Sequence, residues 1–253
     1  MRATPYSDVN ALLDGLLSRV REALGEKLAG LYLYGSLAAG DFDAENSDID
    51  LLAAVASDIE PEEFQSLLAM HRELARENRQ WDDRIEVAYL SVKGLRTFRT
   101  ERSAMAVISP GEPFHMVRAG REWLMNWYIV REEGVALLGP PAAELIAPIS
   151  REEFAECVQG YAEEVAGREA RTRKEQAYAI LTMCRALHLH RTGERASKRR
   201  AALWAQGELP QWSSLIERAL AWREAWPEED VDQEATQVET VQFVECVVGL
   251  MRS

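Results

Sequence analysis

Cysteine is scarce in this chain: Cys157, Cys184 and Cys246 are the only three in 253 residues. They form no Cys-x-x-Cys pair and have no histidine at ligand spacing, which excludes the common zinc motifs and a disulfide scaffold. An odd count set in helical patterns suits buried residues in a reducing compartment. No apolar run approaches the roughly 20 residues that span a bilayer. The opening MRATPYSDVNALLDGLL also lacks the continuous apolar stretch of a secretory leader. A cytoplasmic protein that does not bind membranes is expected. Positive charge is in short supply too, since 29 Lys and Arg against 42 Asp and Glu give a net charge of -13. A polynucleotide substrate normally meets a basic face, so nucleic acid is excluded as a partner class. An acidic cleft would instead steer a cationic small molecule, although acidity serves solubility as well.

What the chain does have is one dense motif. Leu31 to Val55 reads LYLYGSLAAGDFDAENSDIDLLAAV. The apolar run Leu31 to Tyr34 predicts a buried strand that ends in a tight turn at Gly35-Ser36, where backbone can approach a phosphate. Gly40-Asp41 and Asn46-Ser47 are further turn signals, so the chain returns as a second strand over 48–55. Alternation places Asp48 and Asp50 on one face and turns Ile49 and Leu51 inward. Two neighbouring carboxylates repel unless a cation joins them, and magnesium prefers carboxylate oxygens shared with substrate phosphates. Two such ions can clamp the attacking and leaving oxygens of an in-line transfer.

A third acid is expected on an adjacent strand, and RIEVAYL (84–90) supplies Glu86 among alternating apolar residues. Glu86 would share the open face with the aspartates as third metal ligand or as general base, and the base role is favoured. Asp-x-Asp alone is common, and most instances are surface carboxylates. The Gly-Ser turn, the Ser47-opened strand with its two aspartates and the isolated third acid together specify a site. Gly35, Ser36 and Ser47 are the expected nucleotide contacts, and Asp48, Asp50 and Glu86 the expected metal ligands.

Length and the 47% hydrophobic content support two domains. Apolar spacing predicts helices over 9–29 and 62–78, the second with Pro61 near its first turn. Ser109-Pro110-Gly111-Glu112-Pro113 predicts a loop, with an element containing Trp123, Trp127 and Tyr128 after it. Gly139-Pro140-Pro141 and Pro148 interrupt the chain, which places the boundary between residues 149 and 150. Beyond it Ser150 and Glu153 stand at capping-box spacing, and helices are predicted through Val165 and over 175–191, 198–206, 211–223 and 234–251. The fold class is therefore α+β: a mixed sheet with helices in 1–149, and an all-helical bundle in 150–253 that would close a nucleotide and acceptor cleft. His188 and His190 at i and i+2 are a poor metal pair, and His71 and His115 read as packing or surface residues. Most of the seven tryptophans read as core. The acidic segment Glu224 to Glu239 reads as a solvated loop in preference to a lining of the acceptor side.

The Gly-Ser turn followed by Asp-x-Asp resembles the nucleotidyltransferase superfamily related to DNA polymerase beta. More narrowly, LYGSLAAGDFDAENSDIDLLAAV, GVALLGPPAAEL (134–145) and ILTMCRALHLHRTGERASKRRAALWA (180–205) are similar to the streptomycin/spectinomycin adenylyltransferases. The resemblance implies ATP as co-substrate, magnesium and a cationic antibiotic as acceptor, and a monomer is expected. It puts Lys198, within the basic cluster Arg195 to Arg200, at the family's triphosphate-contacting lysine. Where streptomycin-modifying members carry Ile-Trp-Tyr, this chain has Ala186-Leu187-His188, which favours spectinomycin over streptomycin. Adenylylation of a protein or a metabolite would use the same acids, and a non-catalytic antitoxin-like protein could share the scaffold.

Overall fold

The computed structural model describes residues 3–44, 47–224 and 234–252. The chain divides into two compact units, Met1–Ile149 and Ser150–Ser253. The first contains strands β1 (Leu28–Tyr34), β2 (Ile49–Val55), β3 (Ile85–Ser91), β4 (Ser103–Ser109), β5 (Glu112–Ala119) and β6 (Val135–Leu138). Its helices are α1 (Ser7–Leu24), α2 (Gly35–Ala38), α3 (Pro61–Glu77), α4 (Val92–Thr97), α5 (Leu124–Glu133) and α6 (Ala142–Leu145). The strands form one six-stranded sheet in the order β5-β4-β3-β2-β1-β6. Only β2 and β3 pair in parallel, joined by the crossover helix α3, and the other neighbours are antiparallel.

Both faces of the central strands are buried, which is why they read as almost continuous apolar runs. Leu31, Leu33, Leu51, Ala53, Val87 and Tyr89 face one way and pack against Leu12, Leu16 and Val20 of α1 and Leu67 and Leu74 of α3. Fully burying a leucine-sized side chain contributes roughly 1.5–3 kcal/mol, so this layer is the main anchor of the unit. The opposite face is interrupted at one end by polar residues, and α5 packs on β1 there.

α3 follows its sequence signals closely. Pro61 opens it, and Glu60 and Glu63 complete a reciprocal capping box. The first helix is shorter than its apolar spacing predicts. It ends at Leu24 because Gly25 adopts φ +53, and Leu28 and Ala29, expected to be helical, belong to β1 instead. The segment 109–113 is likewise more ordered than a loop. Only Pro110 and Gly111 turn, and β4 and β5 pair on either side of them.

His71 is buried in α3, with Nε2 2.8 Å from the Tyr89 hydroxyl. Burial pushes its pKa down to about 4 from the ordinary 6.5. The folded state thus disfavours the proton that the unfolded chain accepts. Its stabilisation is complete above pH 6.5 and is lost as pH falls from 6.5 towards 4, by about 3 kcal/mol in full. Urea midpoints measured between pH 7 and 4 should fall with a slope that His71→Asn makes shallower by about one proton. Identical slopes in the two proteins would remove His71 from this role.

The second unit is helical: α7 (Arg151–Ala166), α8 (Arg173–Thr192), α9 (Lys198–Glu208), α10 (Ser213–Glu224) and α11 (Glu234–Arg252). Ser150 caps α7 by accepting the Glu153 N–H at 3.1 Å. α8 starts from a Thr172/Glu175 capping box and stops at Gly193, whose φ of +70 suits a left-handed end. It is the central helix, packing against α7, α9, α10 and α11. Gln176 is wholly buried within it and accepts a hydrogen bond from Thr236 Oγ1 at 2.6 Å, so its amide oxygen is not stranded in the core. The acidic residues Glu228, Glu229, Asp230 and Asp232 lie outside the described residues.

Candidate active site

β1 delivers the first part of the site. Its last residue, Tyr34, is followed by Gly35 at φ +72. Instead of a simple turn, Gly35 and Ser36 open the single helical turn α2. A Cβ on Gly35 would fall 1.8 Å from Asp50 Oδ2, so only glycine lets the backbone lie against this carboxylate. Asp50 sits one residue inside β2 and Asp48 just before it. Both are half-buried, whereas Ile49 and Leu51 are fully buried, as the alternation requires.

Strand register joins the acids. Tyr34 is opposite Asp50 across the antiparallel β1–β2 pair, and Asp50 is opposite Glu86 across the parallel β2–β3 pair. Tyr34, Asp50 and Glu86 therefore stand side by side on one face of the sheet. The row continues into the hairpin, where Ser109 hydrogen-bonds Glu86 and pairs with Glu112. Tyr34 Oη lies 3.5 Å from Glu86 Oε1 and accepts from Asn126 Nδ2 of α5 at 3.4 Å.

Burial raises the pKa of Glu86 above the usual carboxylate range, and the charges of Asp48 and Glu112 push the same way. The hydrogen bonds from Ser109 and Tyr34 oppose them. The phenol of Tyr34 is driven well above its ordinary value by burial, then by Asp50 and Glu86. Tyr34, Ser109, Glu112 and Asn126 were not identified by sequence reasoning, because their proximity to Glu86 exists only through cross-strand pairing and helix packing. The strand-ending position of Tyr34, directly before Gly35, was the one available signal.

Ser47 is buried. Its Oγ accepts the Asp43 N–H at 3.0 Å, and its own N–H donates to the Asp43 carbonyl at 2.9 Å, so it closes the loop before Asp48. Lys198 is the first residue of α9 in the second unit, after the cap Ser197, with Nζ 5.6 Å from the Tyr178 ring centroid. His188, also in that unit, is buried with Nδ1 2.9 Å from the Glu194 carbonyl, which makes it a packing residue.

Among the described residues, no group of three or more His, Cys, Asp or Glu side chains is gathered as a metal site. Asp48, Asp50 and Glu86 are neighbours without converging on one point. Their chemistry nevertheless fits a hard divalent cation, because all three are carboxylates and the upward push of Asp48 and Glu112 on Glu86 is repulsion that a cation would relieve.

Residues 14–103 match the nucleotidyltransferase domain family, and residues 144–248 match the family described as aminoglycoside adenylyltransferase, C-terminal domain. No curated protein sequence matches the chain significantly. Among solved structures, the spectinomycin adenyltransferase AAD(9) from Enterococcus faecialis, crystallised with ATP and spectinomycin, has the same fold. The TM-score is 0.73 over 96% of this chain and 99% of that one, at 16% identity. Sheet, Gly-Ser turn and paired acids define a nucleotidyltransferase. With the matched carboxyl-terminal domain, the chain belongs to the aminoglycoside nucleotidyltransferases.

Proposed function

We propose that this enzyme transfers AMP from ATP to a hydroxyl of an aminoglycoside-type antibiotic, with spectinomycin preferred to streptomycin, and so confers resistance. The observation that carries the reading is the register that sets Asp50 beside Glu86, with the Gly35 backbone against Asp50. Asp48, Asp50 and Glu86 are the residues that would hold magnesium. Bound there, magnesium would neutralise phosphate charge and polarise the reacting phosphate. Gly35 and Ser36 contact the terminal phosphates, with Ser47 setting the loop beside them. Glu86 accepts the proton of the acceptor hydroxyl, whose oxygen bonds to the α-phosphorus as the bond to the β-phosphate bridging oxygen breaks and pyrophosphate departs. The raised pKa of Glu86 makes it a stronger base than an exposed glutamate.

Residues 1–149 supply the donor chemistry in this reading, and 150–253 the acceptor selectivity and the Lys198 cation. Spectinomycin preference is supported by Ala186-Leu187-His188. Leu187 is 2% exposed in the helical core, and His188 is committed to its backbone contact. A cationic acceptor also suits the net charge of -13. Pyrophosphate release with magnesium, ATP and a panel of spectinomycin, streptomycin and deoxystreptamine aminoglycosides tests the proposal. Release with spectinomycin, depressed at limiting ATP by Lys198→Met, is the expected result. Silence across the panel would transfer the reaction to another acceptor class.

A further inference from the structure

Glu86 is the second residue of β3, and the two residues before that strand, Asp83 and Arg84, reach opposite ways. Asp83 Oδ1 accepts the Gly111 N–H at 2.6 Å and so ties down the β4–β5 turn. This turn lies between Ser109, which hydrogen-bonds Glu86, and Glu112, whose charge acts on it. Arg84 ties down the other side. Its Nη2 donates to the Ser47 carbonyl at 2.6 Å and the Ala44 carbonyl at 2.9 Å, and its Nε to Ser47 at 3.2 Å. The guanidinium is held 4.7 Å from the Trp81 ring centroid. The Arg84 carbonyl also accepts the Ile49 N–H at 2.8 Å. Asp48 thus lies between two residues whose backbones are bonded to Arg84.

Among the described residues Asp83 is the one non-glycine residue with positive φ, at +59. A side chain with a Cβ is disfavoured there, and aspartate is among the residues that tolerate it best. Local strain of this kind persists where surrounding contacts hold it, and it clusters at functional sites. Here it falls where the chain enters β3, between the side chain that meets the hairpin turn and the one that meets the Asp48 loop.

We propose that Asp83 and Arg84 form a two-armed brace that positions the groups on either side of Glu86: the Ser109 turn through Asp83 and the Asp48 loop through Arg84. Neither touches the reacting atoms, so both are positioning residues. Their effect on turnover rests on the reading of Asp48 and Glu86 as catalytic acids, and their effect on loop order does not. Small misplacements of reacting groups cost orders of magnitude in rate, and lysine cannot reproduce a fork that serves two carbonyls while stacking on an indole.

Hydrogen exchange on the full chain, combined with steady-state kinetics, tests the brace. Asp83→Gly should speed exchange at Ile108–Pro113 and leave Ser47–Asp50 unchanged. Arg84→Lys should do the reverse. Each should lower kcat about tenfold, with a smaller change in the KM for ATP. Asp83→Asn keeps an acceptor oxygen and tolerates the same φ, so it should restore kcat to within about threefold. A merely structural role would lower kcat only in step with Tm, whereas glycine at 83 relieves the positive-φ conflict and so offsets the lost Gly111 hydrogen bond, leaving Tm little changed while kcat falls. Unchanged exchange in both loops, or Asp83→Asn as impaired as Asp83→Gly, overturns the proposal. Asp48→Asn and Glu86→Gln, measured alongside, judge the catalytic reading separately. If they keep full turnover that reading fails, and loop exchange still decides the brace.

Discussion

Glu86→Gln should reduce turnover by about 100-fold or more while leaving ATP binding nearly intact, as expected for losing a general base. The substitution preserves shape, and its carbonyl oxygen can still accept the hydrogen bonds from Ser109 and Tyr34. What it removes is the capacity to hold a proton. Asp48 and Asp50 remain to hold magnesium, and the charges of Asp48 and Glu112 no longer face a negative group at position 86. The wild-type pH–rate profile should have an acidic limb above the ordinary glutamate range, since burial and those two carboxylates raise the pKa of Glu86. Activity requires the unprotonated form, so the rate falls as pH drops through that limb, and Glu86→Gln should abolish it. Single-turnover rates with saturating ATP and acceptor separate chemistry from product release. A variant with wild-type single-turnover rate and an unchanged acidic limb would leave Glu86 as no more than a neighbour of the aspartates.

Much of the geometry of the candidate site was legible in the sequence because its parts are local. Gly35, Ser36, Asp48 and Asp50 lie within one strand–turn–strand segment, and alternation within β2 is enough to put both aspartates on the same side. Glu86 was legible because an acid among apolar residues on a strand is costly without a role. Its partners were not. Ser109 follows SAMAVI, in which Ala104 and Ala106 blur the alternation, and β5 opens with Glu-Pro and carries His115 and Arg118, the composition of an edge strand. A turn at Pro110-Gly111 was readable, but pairing of the strands on either side is a long-range property. Asn126 reaches Tyr34 from a helix 92 residues further along the chain, which no local pattern encodes. In the helical unit the Ser150 cap marked the start of α7, whereas the Thr172/Glu175 capping box went unread and α8 begins at Arg173, two residues before the predicted 175. The overrun of the first helix came from Leu28 continuing an apolar spacing that Gly25 had already ended.

Gly35→Ala should damage activity far more than it damages stability. Two costs add at this position. The backbone at φ +72 is left-handed, which disfavours an L-residue by about 1–2 kcal/mol. The new Cβ would also fall 1.8 Å from Asp50 Oδ2, with Asp50 Cγ at 2.8 Å and Cβ at 3.2 Å. Rotating the carboxylate relieves the closest contact only by turning it out of the site, and the Asp50 Cβ at 3.2 Å must still give by a few tenths of an ångström although pairing with Tyr34 and Glu86 sets its position. Either the α2 turn moves or Asp50 does, and each removes a part of the donor site. The expected result is a loss of about 100-fold or more in kcat/KM for ATP, since displacements near 1 Å carry that penalty. Stability should fall by about 1–2 kcal/mol for the backbone alone and further for the contact with Asp50, seen as a shift of the urea midpoint. The comparison with Gly40→Ala is informative. Gly40 also has positive φ, at +70, but a Cβ there meets nothing within 4 Å. It should show the stability cost without the catalytic one. If Gly35→Ala kept wild-type kcat/KM, the approach of the Gly35 backbone to Asp50 would have no part in binding the nucleotide.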